Sequence, residues 1–264
     1  MLSWKIGKNV ISELYYHGKN IIKPWGFETA DSSAFFSLEE GVGWRGKTLS
    51  ETYTYDDTHY RAELLVRMKE GLWALSVDDR IDGNCIDRRV EAVTQEDSVF
   101  MDFVMRFRFK KAFIEYAEIG GKRYFHNDTN IYYQYPVDRV LLKGSSFAVT
   151  ISVLDKVVPE KMTPVIYVRD NRDEWVVHVR MVPEKWDKEV IKICTAWAGT
   201  RPLPQWISRP LLARKQFKKA LWYRGERQPF KNRFVRRFLN LAAFAMVRVP
   251  KAGRLMWHVR MEIE

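Results

Sequence analysis

The chain has 264 residues, 46% hydrophobic and 29% charged, with 10 Trp, 12 Tyr and 15 Phe, a composition that excludes extensive disorder and allows one large core. Its net charge of +11 is uneven: residues 201–264 hold 16 of the 44 Lys+Arg and 3 of the 33 Asp+Glu (net +13), leaving 28 basic and 30 acidic groups (net −2) in the first 200 residues. Two cysteines, Cys85 and Cys194, exclude a disulfide framework and fit buried thiols in a reducing compartment; the opening MLSWKIGK lacks a secretory order, and no run of 18 apolar residues suggests a spanning helix, so a cytoplasmic setting is expected.

From residue 4 to about 198 the dominant signal is a two-residue period broken by turn residues every six to twelve positions. Residues 10–16, 17–20 and 21–24 read as strand, tight turn, strand, with Gly18 supplying a positive φ. Residues 60–68 and 73–77 flank Glu70-Gly71 as a second hairpin. Over residues 99–109, Phe103, Met105, Phe107 and Phe109 share one face, while Asp102, Val104, Arg106 and Arg108 share the other. Residues 147–154 and 165–168 continue the pattern. About fifteen short strands, without long helices between them, predict a mainly β fold: a large antiparallel β-sandwich.

After Thr200 the texture changes. Arg201-Pro202-Leu203-Pro204 and Arg209-Pro210 mark a break, and residues 211–222 and 230–249 take helical spacing, with an apolar stripe from Phe230 through Phe234, Phe238, Leu241 and Ala245 to Val249. Pro250 and Gly253 end this stretch, and residues 255–264 alternate again. The expected organisation is a sandwich domain at 1–200, a basic amphipathic helical excursion at 201–254, and a strand at 255–264 that returns to the sandwich.

The residues 10–24, VISELYYHGKNIIKP, and 72–109, LWALSVDDRIDGNCIDRRVEAVTQEDSVFMDFVMRFRF, carry a family likeness. They resemble the galactose-mutarotase-like β-supersandwich of aldose epimerases and of modules in glycoside hydrolases and polysaccharide lyases, over residues 4–198. The resemblance implies a sugar held on a concave sheet face lined by His, Arg, Tyr, Trp and carboxylates. Aldose epimerases of this kind use a His and a late Glu. Here the late carboxylates are Glu262 and Glu264, and no matching His segment aligns, so simple mutarotase activity departs from the pattern.

Several constellations could carry chemistry. The segment RYFHNDTNIYYQYP at 123–136 offers His126, Asn127 and Tyr133, residue types that remove a proton beside a carboxylate and hold the resulting charge; the alternative is a turn-capping loop with tyrosines over a sheet edge. The tetrapeptide HVRM occurs twice. Parity puts Glu174, His178 and Arg180 on one face of the first copy, and His258, Arg260 and Glu262 on one face of the second; each is a ligand face or a solvated one, and adjacent strands would merge them into one basic face. Arg88, Arg89, Arg106 and Arg108 are candidates for carboxylate or phosphate recognition, against a reading as exposed arginines. Trp25, between Pro24 and Gly26, suits sugar stacking or plugs the core. His17 and His59 lack partners at metal spacing, so no metal is expected. There is no GxxxxGK[ST] loop and no GxGxxG motif after a strand, so no nucleotide chemistry or other cofactor is expected either.

The basic segment has three readings: a cationic amphipathic helix on an anionic membrane through Lys218, Lys219, Arg233, Arg236 and Arg237, a helix docked on the sandwich, or a nucleic-acid surface. The last is disfavoured because no recognition motif accompanies the charge. The combined expectation is a carbohydrate-active protein acting on an anionic or lipid-linked glycan at a membrane surface, by lyase, epimerase or hydrolase chemistry. His126, Tyr133 and His178 would serve as acid–base groups, and Trp25, Arg88, Arg106, Asn127 and Arg180 would bind substrate. The alternative is a non-catalytic sugar-binding or scaffold module attached peripherally to membrane.

Overall fold

A computed structural model describes residues 1–7, 10–28, 47–68, 71–100, 103–126, 135–170, 173–183 and 247–264, except the side chains of Trp25, Glu28, Val99, Phe100, Val182 and Pro183. Eighteen strands appear among these residues: β1 (Leu2–Gly7), β2 (Val10–Tyr16), β3 (Lys19–Asn20), β4 (Ile22–Glu28), β5 (Lys47–Tyr55), β6 (His59–Met68), β7 (Gly71–Asp82), β8 (Cys85–Thr94), β9 (Ser98–Phe100), β10 (Phe103–Lys110), β11 (Tyr116–Ile119), β12 (Lys122–Phe125), β13 (Arg139–Lys143), β14 (Ala148–Val157), β15 (Met162–Asp170), β16 (Glu174–Pro183), β17 (Val247–Val249) and β18 (Arg254–Ile263). The only helical turn among them is a 3-10 turn at Lys111–Phe113.

Turn chemistry sets the hairpins. His17 and Gly18 both take positive φ, 47° and 75°, the type I′ geometry whose twist matches the flanking strands. Between β7 and β8, Gly83 alone has positive φ, 61°, as the first central residue of a type II′ turn requires.

The strands form antiparallel sheets. The largest has nine strands in the order β12-β11-β13-β14-β18-β8-β7-β6-β5, and a second has four, β15-β16-β10-β4. Smaller sheets join β1-β2-β3 and β17-β9. The two large sheets pack as a sandwich. Phe103, Met105, Phe107, Phe109, Trp175, Val177 and Val179 of the smaller meet Trp73, Leu75, Val77, Val90, Trp257 and Val259 of the larger in one buried cluster. Buried indole groups find backbone acceptors: Trp175 Nε1–H donates to the Ile114 carbonyl at 3.2 Å, and Trp257 Nε1–H to that of Phe103 at 3.3 Å.

Three expectations differ from the structure. In the stretch read as helical at 230–249, the described residues Val247–Val249 form strand β17, paired with β9; two β-branched valines buried around an exposed Arg248 follow strand parity. The remainder of that stretch, with Lys218, Lys219, Arg233, Arg236, Arg237 and Cys194, lies outside the described residues. The two HVRM strands are not neighbours either. The first is in β16 of the four-stranded sheet, the second in β18 of the nine-stranded sheet, and His258 and Arg260 reach Asp87 at 3.6 and 2.9 Å on a face away from the core. Cys85, expected to be buried, is half-buried.

Candidate functional site

The site begins with alternation in β10, β16 and β15. Odd positions of β10 and β16, Phe103 to Phe109 and Trp175 to Met181, fill the core, so even positions must point to the opposite face. Register then aligns them across strands. Arg106 stands opposite His178, and His178 opposite Tyr167; one row along, Val104, Arg180 and Val165 align, and one row back, Arg108, Val176 and Arg169. A patch of arginine, histidine and tyrosine results, built on three adjacent strands rather than on loops.

This face is not the solvated strip that its composition suggests. His178 is 2% exposed, Arg180 1%, Tyr167 0% and Arg106 9%. The Tyr167 and His178 rings stack at 4.2 Å with 19° between planes, and the Arg180 guanidinium lies over Tyr167 at 5.3 Å. The His178 Nδ1 is buried and has no hydrogen-bond partner among the described residues. Burial, and then Arg106, Arg180, Arg169 and Arg108, hold its pKa well below the usual 6.5. His178 is therefore a neutral imidazole amid guanidinium groups. Of these, Arg108 Nη1 donates to Glu174 at 2.7 Å.

His126 lies elsewhere. It follows β12, and its Nδ1–H donates to Asp170 at 2.6 Å, where Lys111 Nζ also approaches at 3.7 Å. Asp170 is opposite Trp175 in the register, on the core parity of the sheet, and the His126 and Trp175 rings meet edge-on at 6.4 Å. His126 and His178 thus approach the four-stranded sheet from opposite faces and do not converge. Arg88 is also apart from Arg106. It points from β8 into the sandwich, pairs with Asp79 at 3.5 Å with both side chains buried, and covers the Phe27 ring at 5.4 Å. Arg89, its neighbour, is exposed. Asn127 and Tyr133 lie outside the described residues; Trp25 is in β4 with its side chain likewise outside.

Tyr167 and Arg169 were not singled out from sequence. Their signal was present as alternation in Ile166-Tyr167-Val168-Arg169, but only the β15–β16 register brings it beside His178. A separate cavity of about 390 Å³ opens on the outer face of the nine-stranded sheet, lined by Thr52, Glu63, Ala74, Ser76, Glu91 and Val93 among others. No group of three His, Cys, Asp or Glu suited to a metal occurs among the described residues, and no helix there is long and apolar enough to cross a membrane.

No family model matches the chain, and no curated protein matches it. Solved structures do. A galactose mutarotase-like protein from Lactobacillus casei ATCC 334 superposes with a TM-score of 0.50 at 8% identity, covering 100% of this chain and 97% of that one. An Escherichia coli K12 protein with the provisional name aldose 1-epimerase gives 0.45 at 8% identity over 97% and 92% of the two chains. The Slr1438 protein of Synechocystis sp. PCC 6803 gives 0.39 at 10% identity over 100% and 91%. The chain has a galactose mutarotase-like fold.

Proposed function

We propose that this is a carbohydrate-active protein whose site is the Arg106–His178–Tyr167 row, and that it acts on an anionic or lipid-linked glycan. The observation that carries the reading is the His178 Nδ1, a buried nitrogen without a partner among the described residues, at the centre of an arginine-rich face. A buried polar atom left unbonded costs about 1–3 kcal/mol, and a ligand hydroxyl or an acidic C–H would supply what is missing. Arginines hold carboxylate or phosphate bidentately. In a lyase or epimerase reaction, neutral His178 takes the proton α to a carboxylate, the carbon–hydrogen bond pair moves into the enolate, and guanidinium groups stabilise the negative oxygen. The lyase then forms C=C as the β C–O bond breaks and the leaving oxygen takes the proton from His178, whereas the epimerase receives a proton from water on the opposite face.

The second reading is a sugar-binding module without turnover. It is favoured by the same arginines, which lower the proton affinity of His178 and suit it to accepting a hydrogen bond. One variant separates the two. His178→Gln keeps an amide that can bond a sugar hydroxyl but cannot carry a proton through a reaction. Against uronate-containing polysaccharides and sugar phosphates, with unsaturated products followed by absorbance and isomers by NMR, an enzyme loses about 10²-fold or more in turnover with binding retained. A module shows binding and no turnover in either form; absence of both across the panel refutes the carbohydrate reading.

The membrane component rests on the basic residues 201–254. Changing Arg233, Arg236 and Arg237 to Glu is expected to abolish co-sedimentation with anionic vesicles. Unchanged sedimentation removes the membrane from the proposal.

A further inference from the structure

We propose that the open edge of β5 is a two-fold interface that pairs with β5 of a second copy of this chain, joining two nine-stranded sheets. β5 is nine residues long, pairs only with β6 among the described residues, and every residue except Thr48 is exposed. Three of the six large apolar side chains exposed among the described residues, Leu49 at 48%, Tyr53 at 44% and Tyr55 at 56%, lie on this one strand. Long exposed edges are ordinarily shortened, charged or covered. This one carries a single bulge, between Thr48 and Ser50.

The hydrogen-bond phase shows what the edge presents. Asp56 N–H donates to the His59 carbonyl, making that a bonded pair; alternation makes Thr54/Arg61 and Thr52/Glu63 bonded pairs as well. The N–H and C=O groups of Tyr53 and Tyr55 therefore point away from β6, and among the described residues no other strand pairs with them. Such a row is satisfied by another strand.

The sequence of β5 matches itself. An antiparallel pairing with the two-fold axis at Thr52 sets Thr52 opposite the partner's Thr52, Ser50 opposite the partner's Thr54, Glu51 opposite the partner's Tyr53 and Leu49 opposite the partner's Tyr55. Hydroxyls meet hydroxyls on one face, and a carboxylate and an apolar group meet phenols on the other. Beyond the bulge, Lys47 arrives near the partner's Asp56 and Asp57, and no like charges stand opposite each other. An isologous pair of this kind closes on itself, as two-fold dimers do.

Sedimentation velocity on the full chain from about 1 to about 100 µM tests the proposal, because dimerisation depends on concentration. The mass is expected to rise from 31.3 kDa to twice that value. Tyr53→Glu sets one carboxylate against the partner's Glu51 on each side of the two-fold axis and is expected to hold the chain monomeric; adding Glu51→Lys restores attractive pairs, and with them the dimer. Tyr53→Pro removes only an outward N–H and is expected to leave a folded monomer by circular dichroism. A wild-type monomer at the highest concentration overturns the proposal, as does a dimer that neither Tyr53→Glu nor Tyr53→Pro weakens, or a Glu51→Lys/Tyr53→Glu chain that stays monomeric.

Discussion

His178 and Asp79 are buried groups whose protonation works in opposite directions. The folded pKa of His178 is held below 6.5, so the unfolded chain takes a proton first as pH falls, and stability is lost below about pH 6.5. His178→Gln is expected to be less sensitive to acid than the wild type between pH 6.5 and 4 in urea titrations; parallel curves would remove the buried-neutral assignment. Burial pushes Asp79 up to about 6 despite Arg88, so its contribution is greatest below the ordinary 3.8 and declines as pH rises through 6. The Asp79–Arg88 pair is incompletely satisfied, since both carboxylate oxygens and Arg88 Nε lack hydrogen bonds among the described residues. Single replacements, Asp79→Leu or Arg88→Met, are each expected to cost about 3–5 kcal/mol by stranding the other charge, while the double replacement recovers most of that loss. Denaturant midpoints for the four-member cycle check this, and additive losses would mean that the two do not act as a pair.

At the scale of the strand, the two HVRM copies obey one packing rule and meet different fates. In both, tryptophan and branched residues enter the core and the His/Arg parity turns away. That much was legible in the alternation, as were the hairpin at His17-Gly18 and the aromatic face of β10. Alternation assigns a side chain to a face but carries no information on whether that face is covered. For this reason alternation leaves His178 and Arg180 open as a ligand face or a solvated one; they are buried, whereas Arg260 forms an exposed ion pair with Asp87. Parity also cannot say which sheet a strand joins. The His126 loop and the His178 strand read as one site, and the register put them on opposite faces. Strand position has a measurable consequence. Val259→Pro in β18, flanked on both sides, removes a ladder bond and is expected to cost about 3 kcal/mol or more, against a small effect for Tyr53→Pro at the edge. Urea midpoints of the two variants make the comparison, and similar losses would contradict the sheet order.

For the molecule as a whole, the nine-stranded sheet supplies a gradient of protection. β8, β18 and β14 lie inside it and contribute Val90, Trp257, Val259 and Ile151 to the core, whereas β5 lies at its rim with its side chains exposed. Amide exchange in the middle strands is expected to require global unfolding, while the outward amides of β5 exchange fastest of the sheet in the monomeric Tyr53→Glu chain. Uniform protection across the sheet would exclude this gradient. β18 also imposes an order on biosynthesis. It is bonded to β14 on one side and β8 on the other, so residues 85–94 and 148–157 each keep an open flank until residue 263 has left the ribosome. From residue 157 until residue 263 the nascent chain therefore carries two half-sheets with sticky sides, a period of exposure in which a chaperone that shields strand edges would affect yield more than one that accelerates collapse.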